Sequence, residues 1–117
     1  MANRRMFSKD IVCSDLFLSM PLSTQALYFQ LGMAADDDGF LSGGQSIIRM
    51  IGGAIDDLKL LLVKKFIISF DSGIIVVRHW RQNNIIKNDR YHETNFRDEK
   101  ACLKLSSSKT YVCLLPT

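Results

Sequence analysis

The first third of the chain contains two runs in which apolar residues recur at helical spacing. Ser8 precedes the first run and can cap a helix that starts at residues 9–13. The second run covers residues 24–35, and Ser23 stands where its N-cap would be. We predict a helix from each run, and the second helix should lie at the centre of the core.

Two shorter helical patterns follow at residues 45–51 and 55–66, and two adjacent glycines separate them. Two helices joined by a tight turn form the arrangement of a helix-turn-helix. The sequence Asp36-Asp37-Asp38-Gly39 interrupts the helical pattern before them. It is interpreted as a turn that leads into a short extended piece at residues 40–41.

The next stretch has the pattern of a β-hairpin. Residues 66–70 and 74–80 are rich in β-branched and aromatic side chains, and Asp71-Ser72-Gly73 between them can form the hairpin loop. A helix-turn-helix followed directly by a hairpin is the order of elements in a winged helix. A last, charged helix is expected at about residues 95–104.

These elements predict an α+β fold that is mostly helical. We expect a winged helix-turn-helix with a short hairpin wing and a C-terminal helix, which together occupy residues 1–104. Residues 105–117 are expected to be a tail, or a linker to a further domain that this chain lacks.

Composition excludes several classes of protein. The chain of 117 residues is 47% apolar, which suits one small domain. It has no run of about eighteen apolar residues and no apolar leader, so we expect a cytoplasmic protein without a membrane partner. Its three cysteines are too widely spaced to predict a disulfide framework or a zinc site, and the acidic triplet lacks the ligand pattern of a calcium loop. No metal or cofactor is expected.

Charge is distributed unevenly along the chain. Residues 1–48 contain three basic and five acidic side chains, whereas residues 49–117 contain twelve basic and seven acidic ones. A basic second half favours a polyanionic partner such as nucleic acid. An ordinary solvated surface can have the same imbalance, so charge alone leaves both interpretations open.

The chain also resembles a known family, the N-terminal domain of phage replisome organiser proteins, which are related to the DnaD-like primosome proteins. The likeness covers about residues 4–104. The stretches that carry it are Arg5-Met6-Phe7-Ser8-Lys9-Asp10-Ile11-Val12, Leu27-Tyr28-Phe29-Gln30-Leu31-Gly32-Met33, Ala35-Asp36-Asp37-Asp38-Gly39-Phe40, Arg49-Met50-Ile51-Gly52, Asp56-Asp57-Leu58-Lys59-Leu60-Leu61, His79-Trp80-Arg81 and Asp89-Arg90-Tyr91.

This resemblance implies a winged-helix fold and a role in starting phage or prophage DNA replication. Members of the family bind origin DNA, self-associate and help to bring in host helicase-loading proteins. The chain departs from the family at Gln45 and Ser46, where basic residues are common, and at Ala54, where a capping Ser is common. The missing cap should cost the following helix about 1 kcal/mol.

The candidate DNA-binding residues are basic side chains in and after the second motif helix. On residues 55–66 the positions Leu58, Leu62 and Ile55 are expected to face the core, which leaves the lysines outside the apolar stripe. The candidates are Lys59, Lys64, Lys65, Arg78, Arg81, Lys87 and Arg90. Aromatic residues among cations can bind single-stranded DNA by stacking, so single-stranded DNA stands beside duplex DNA as an expected partner. Trp80, although it lies among these cations, is interpreted as a core residue. The tip of the wing is acidic at Asp71, so we do not expect it to enter a minor groove.

Some apolar residues lie outside the expected core stripe and favour self-association. All four residues at 74–77 are apolar, so both faces of that strand need cover. The candidate self-association residues are Leu60, Val63, Ile75 and Val77. The alternative is that the first helix or the 95–104 helix covers the second face within one chain.

The leading hypothesis is therefore a DNA-binding and self-assembling module of a phage replication initiation protein. One alternative is a protein-interaction module on the same fold that captures a host or phage protein without binding DNA. Another is a phage winged-helix transcription regulator. We do not expect an enzyme, because the sequence contains no recognisable catalytic constellation or phosphate-binding glycine motif.

Overall fold

A computed structural model describes residues 4–84 and 91–113 of the chain. In these residues the protein is a small α+β domain with seven helices and two antiparallel sheets. The elements, in chain order, are α1 (Lys9–Val12), α2 (Asp15–Leu18), α3 (Leu22–Ala34), β1 (Phe40–Leu41), α4 (Gly44–Ile51), α5 (Ile55–Val63), β2 (Ile67–Ser69), β3 (Ile75–Val77), α6 (Trp80–Asn83), α7 (Arg97–Ala101), β4 (Leu103–Leu105) and β5 (Tyr111–Cys113).

The N-terminal helix expected from residue 9 onward is divided into two short helices. Ser8 caps α1 as predicted, since its Oγ accepts a hydrogen bond from the backbone N–H of Asp10. The first helix ends at Val12 with Cys13 as its C-cap residue, and Ser14 caps α2 by accepting the N–H of Phe17. The side chain of Phe17 is buried and packs edge-on against Tyr28 and Phe66, which fixes α2 on the core.

Helix α3 is the central helix, as predicted, but it begins slightly earlier than expected. Pro21 is its N-cap residue, and Ser23 does not cap it. The hydroxyl of Ser23 instead donates to the carboxylate of Asp57 on α5. The buried side of α3 includes Gly32, where a Cβ atom would lie 2.7 Å from the ring of Phe7. Any larger residue at this position would therefore displace the ring of Phe7 from the helix.

Asp57 provides the cap that α5 lacks at Ala54. It is the third residue of α5, and its Oδ2 accepts the backbone N–H of Ala54, while its Oδ1 accepts the hydroxyls of Ser23 and Thr24. The hydrogen bond from Ala54 lowers the pKa of Asp57 against the opposing effect of burial, and those from Thr24 and Ser23 add to the lowering. One buried carboxylate thus caps α5 and joins it to the start of α3.

The core-facing side of α5 differs from the expected one. Leu61 is fully buried, whereas Leu58 and Leu62 are half-buried against the core. Ile55, expected to face the core, is 45% exposed. The helix ends at Val63, because Lys65 adopts a left-handed backbone conformation and Phe66 then turns into the core.

The three-stranded sheet corrects the predicted self-association residues. Its strand order is β1-β3-β2, so β3 is the central strand, and Ile75 and Val77 are both buried within one chain. On the opposite face Phe40 pairs with Val76, and the ring of Tyr111 lies 6.0 Å from that of Phe40. The C-terminal segment of the same chain therefore covers the second face, and no partner is needed there.

The C-terminal segment itself was wrongly predicted in part. The expected helix at 95–104 is shorter, Arg97–Ala101, and residues 103–113 form a second hairpin in place of a tail. Tyr111 fixes this hairpin to the core, since its N–H donates to the carbonyl of Arg78 and its side chain is buried. None of the helices in the described ranges has the length and apolar character needed to span a membrane.

The acidic turn, residues Asp36, Asp37 and Asp38, contacts segments from both ends of the chain. Asp38 has no exposed surface, and its carboxylate accepts hydrogen bonds from Tyr91, from the backbone of Thr94 and from two cations, Arg81 at 2.7 Å and Lys100 at 3.2 Å. Burial alone would lower the pKa of Lys100, but the hydrogen bond to Tyr91 and the charge of Asp38 raise it.

Asp37 and Asp36 bind other segments of the chain. The carboxylate of Asp37 is paired with Arg5 at 3.1 Å, and its backbone carbonyl accepts the indole N–H of Trp80 at 2.9 Å. The side chain of Asp36 accepts the N–H groups of Asp38 and Phe40 and a hydroxyl hydrogen bond from Thr94. The acidic turn thus holds the N-terminal segment, α6 and the segment before α7 around β1.

We predict that Asp38→Ala lowers the free energy of unfolding by about 3 kcal/mol. The substitution leaves two cations and a buried N–H without their acceptor, and loss of one member of a buried pair is strongly destabilising. Chemical denaturation monitored by circular dichroism measures the change. Asp71→Ala at the exposed hairpin tip is the control and should change stability by less than about 0.5 kcal/mol. Equal effects of the two substitutions would contradict the assigned role of the acidic turn.

Candidate nucleic-acid interface

The solvent-facing side of α5 carries one of the predicted DNA-binding residues. Lys59 is exposed at the middle of this side, between Ile55 and Val63 along the helix. Asp56 is exposed beside them. The cation therefore lies on a mixed surface with apolar neighbours and one acidic neighbour.

Arg49 lies next to this face and was not among the predicted residues. It is exposed on α4, and together with Gln45 and Ile55 it lines a cleft of about 430 Å³ between the two helices. The sequence contained a signal for this residue: the apolar positions Ile48 and Ile51 face inward on α4, so the helical period places Arg49 on the outward side. We call Arg49 and Lys59, with the surface between them, the α4–α5 face.

Three other predicted residues meet on a different surface. Lys64, Lys65 and Arg78 surround a groove of about 370 Å³ between α1–α2 and the start of the hairpin, which we call the basic groove. Its apolar lining comes from Ile11, Leu16 and Phe66. Since five residues of a helix cover about 500°, Lys59 and Lys64 point in different directions, and the structure separates them.

The backbone at the end of α5 places these cations. Lys65 has a φ of +65°, and Phe66 N–H donates to the carbonyl of Leu61, as in the common helix-ending motif that usually has Gly at this position. The carbonyl of Lys65 accepts a hydrogen bond from the guanidinium of Arg78 at 3.4 Å. The groove therefore has a cation at a backbone position that lysine adopts only with some strain.

His79 also lines the basic groove, and its ring packs 5.8 Å from that of Phe66. Its Nδ1 is buried without a hydrogen-bond partner among the residues that the structure describes. Burial, together with the positive charge of Arg78, lowers the pKa of His79 from 6.5 to about 4. The imidazole is therefore neutral at pH 7.

Arg81 has a structural role that the sequence did not reveal. Its guanidinium pairs with Asp38 and lies 5.7 Å above the ring of Tyr91. Its charge is thus largely neutralised inside the domain. Lys87 and Arg90 lie outside the residues that the structure describes.

The hairpin tip is unsuited to an anionic partner, as its sequence indicated. Asp71 is exposed there, and the hydroxyl of Ser72 donates to the carboxylate of Glu99 on α7 at 2.7 Å. Trp80 is buried, and its role in the core is confirmed. The cysteines Cys13, Cys102 and Cys113 are all exposed as free thiols.

Comparison of the chain with known protein families, with curated proteins and with solved structures finds no match in any of the three. The likeness to replisome organiser proteins therefore rests on the sequence stretches alone. In the structure several of these stretches surround the acidic turn: Arg5, Trp80, Arg81 and Tyr91 all contact it. These residues of the resembling stretches therefore contribute to the packing of the domain, and they do not by themselves mark a binding surface.

We predict that His79 makes folding sensitive to pH between about 6.5 and 4. The folded state holds its pKa near 4, so the unfolded state binds more protons in this window, and stability is lost as pH falls below 6.5. His79→Phe keeps a ring against Phe66 and removes the titration. The difference in unfolding free energy between His79→Phe and the parent should grow in favour of the variant from pH 6.5 to pH 4. The exposed His92→Phe is the control, and a parallel pH profile for both variants would contradict the assignment.

Proposed function

We propose that the protein is a winged-helix nucleic-acid-binding domain that acts in starting phage or prophage DNA replication. The proposal rests chiefly on one observation: α5 follows α4 across a tight turn and keeps a side that carries Lys59 in solvent. The order α3, β1, α4, α5, β2, β3 and the sheet order β1-β3-β2 support the winged-helix part. The role in replication is drawn from the sequence resemblance.

The α4–α5 face is the surface that we assign to duplex DNA. Arg49 and Lys59 can both reach phosphates, which supply most of the affinity in such complexes. The side chains that read bases best are Arg, Asn and Gln, and α5 contains none of them. We therefore expect moderate affinity with little sequence preference, which fits a replication module better than a transcription regulator.

We predict that the double charge reversal Arg49→Glu/Lys59→Glu weakens binding to duplex DNA. It should also lower the slope of log K against log salt by about two units, one for each phosphate that the variant no longer binds. A salt titration by fluorescence anisotropy measures both quantities. Lys104→Glu/Lys109→Glu makes the same change of charge on the exposed C-terminal hairpin and is the matched control. If the two double variants bind equally well, the assigned face is wrong.

Self-association is a second candidate function, and the exposed apolar residues favour it. Val63 is 73% exposed and Met50 is 82% exposed on the helices that carry the α4–α5 face. Of the four residues predicted for self-association, Ile75 and Val77 are buried and Leu60 is half-buried, so Val63 is the one left on the surface. Exposed apolar side chains mark a protein interaction site where they form one patch, and we propose Val63 as the centre of such a patch for a second copy of the chain.

We predict that Val63→Glu converts a self-associated protein into a monomer of 13.3 kDa. An exposed position tolerates this change without unfolding, so sedimentation velocity at micromolar concentration reports association alone. Leu105→Glu, at an exposed apolar position of β4, is the control and should leave the association unchanged. A parent chain that sediments as a monomer would refute self-association through this surface.

A further inference from the structure

The basic groove and the α4–α5 face differ in lining. The cleft at the α4–α5 face has one cation, Arg49, among its lining residues, whereas the groove combines a mostly apolar lining with three cations. The groove is open to solvent and has a volume of about 370 Å³. A duplex keeps its bases stacked inside, so it has no free base to place against this apolar lining.

We propose that the basic groove binds single-stranded DNA, with one unstacked base against its apolar lining and the adjoining phosphates held by Lys64, Lys65 and Arg78. This inference rests on the proposed nucleic-acid function and adds a second surface with its own class of ligand. Proteins that bind single strands combine a positive groove with aromatic side chains on which bases stack. In this groove the three cations lie beside the ring of His79, which packs on that of Phe66.

The charge of the basic groove favours a single-stranded nucleic acid as its ligand. Three of the nine lining residues are cationic, and Asp10 is the one acidic residue among them. The groove is therefore complementary to an anionic chain, while Ile11 and Leu16 provide contact area that a phosphate alone would not use. The neutral ring of His79 packs on Phe66 and extends the flat part of the lining without adding charge.

Lys65 provides a test in which stability and binding respond differently. Its φ of +65° favours glycine, so Lys65→Gly should fold at least as stably as the parent while it removes one cation from the groove. Lys109 is the matched control, because it has a φ of +60° in the turn between β4 and β5. Lys109→Gly therefore makes the same chemical change away from the groove.

The experiment compares three probes by fluorescence anisotropy with the full chain. The probes are an oligothymidylate of about ten nucleotides, an abasic strand of the same length, and a duplex of similar length. We expect the parent to bind oligothymidylate about tenfold more tightly than the abasic strand, because one stacked base contributes about that factor. Lys65→Gly should weaken oligothymidylate binding several-fold without a lower melting temperature, and Lys109→Gly should bind as the parent does.

A second variant separates base binding from phosphate binding. Leu16 is exposed at the groove, so Leu16→Lys should fold normally while it replaces apolar lining with a cation. We expect it to abolish the preference for oligothymidylate over the abasic strand. Tighter binding of both strands with the preference kept would show that the base lies elsewhere and would overturn the proposal.

Other outcomes also decide the question. Equal affinity for oligothymidylate and the abasic strand would refute the groove as a base site, and no effect of Lys65→Gly would refute it as a phosphate site; either result overturns the proposal. Displacement of oligothymidylate by polyglutamate at equal concentration would identify a general anion site and overturn the proposal as well. In each case, duplex binding that depends on Arg49 and Lys59 would still support the proposed function. A parent chain that does not bind the duplex would refute the proposed function separately from the groove.

Discussion

The buried carboxylate of Asp38 is the interaction on which the rest of the structure depends. An isolated charge without water is costly, so it must be paired and fully hydrogen-bonded. Arg81, Tyr91, Thr94 and Lys100 meet this requirement, and each belongs to a segment far along the chain. The position of α6, the approach to α7 and the docking of the last hairpin follow from the need to satisfy one small group of acidic side chains.

This constraint changes how the basic half of the chain is interpreted. Twelve basic residues after residue 48 indicated a polyanion partner, yet Arg81 and Lys100 neutralise Asp38 inside the protein. Five of the other cations on described surfaces divide between the α4–α5 face and the basic groove. These cations therefore lie on two separate small surfaces and not on one continuous strip, which is the arrangement that the proposed duplex and single-strand sites require.

The sequence predicted elements whose signals are local. Periodicity was sufficient for α3, α4, α5 and the first hairpin, because it depends on neighbours within a few positions, whereas the cap predicted for α3 at Ser23 was wrong. The acidic turn was interpreted only as a turn, since the cations that pair with Asp38 lie 43 and 62 residues away and no spacing rule connects them. For the same reason the apolar strand β3 suggested a dimer. The side chain that covers its second face, Tyr111, belongs to residues 105–117, which were expected to be a tail or a linker.

The acidic turn also sets the order in which the domain can be completed during synthesis. The carbonyl of Asp38 accepts the hydroxyl of Tyr111, which is 73 residues later in the chain. Until that residue has left the ribosome, the carboxylates can already pair with Arg5, Arg81 and Lys100, but the carbonyl of Asp38 still lacks its partner and the last hairpin is not docked. Contacts of such long range slow folding, so the newly made chain should pass through a loosely closed stage before its last hairpin docks.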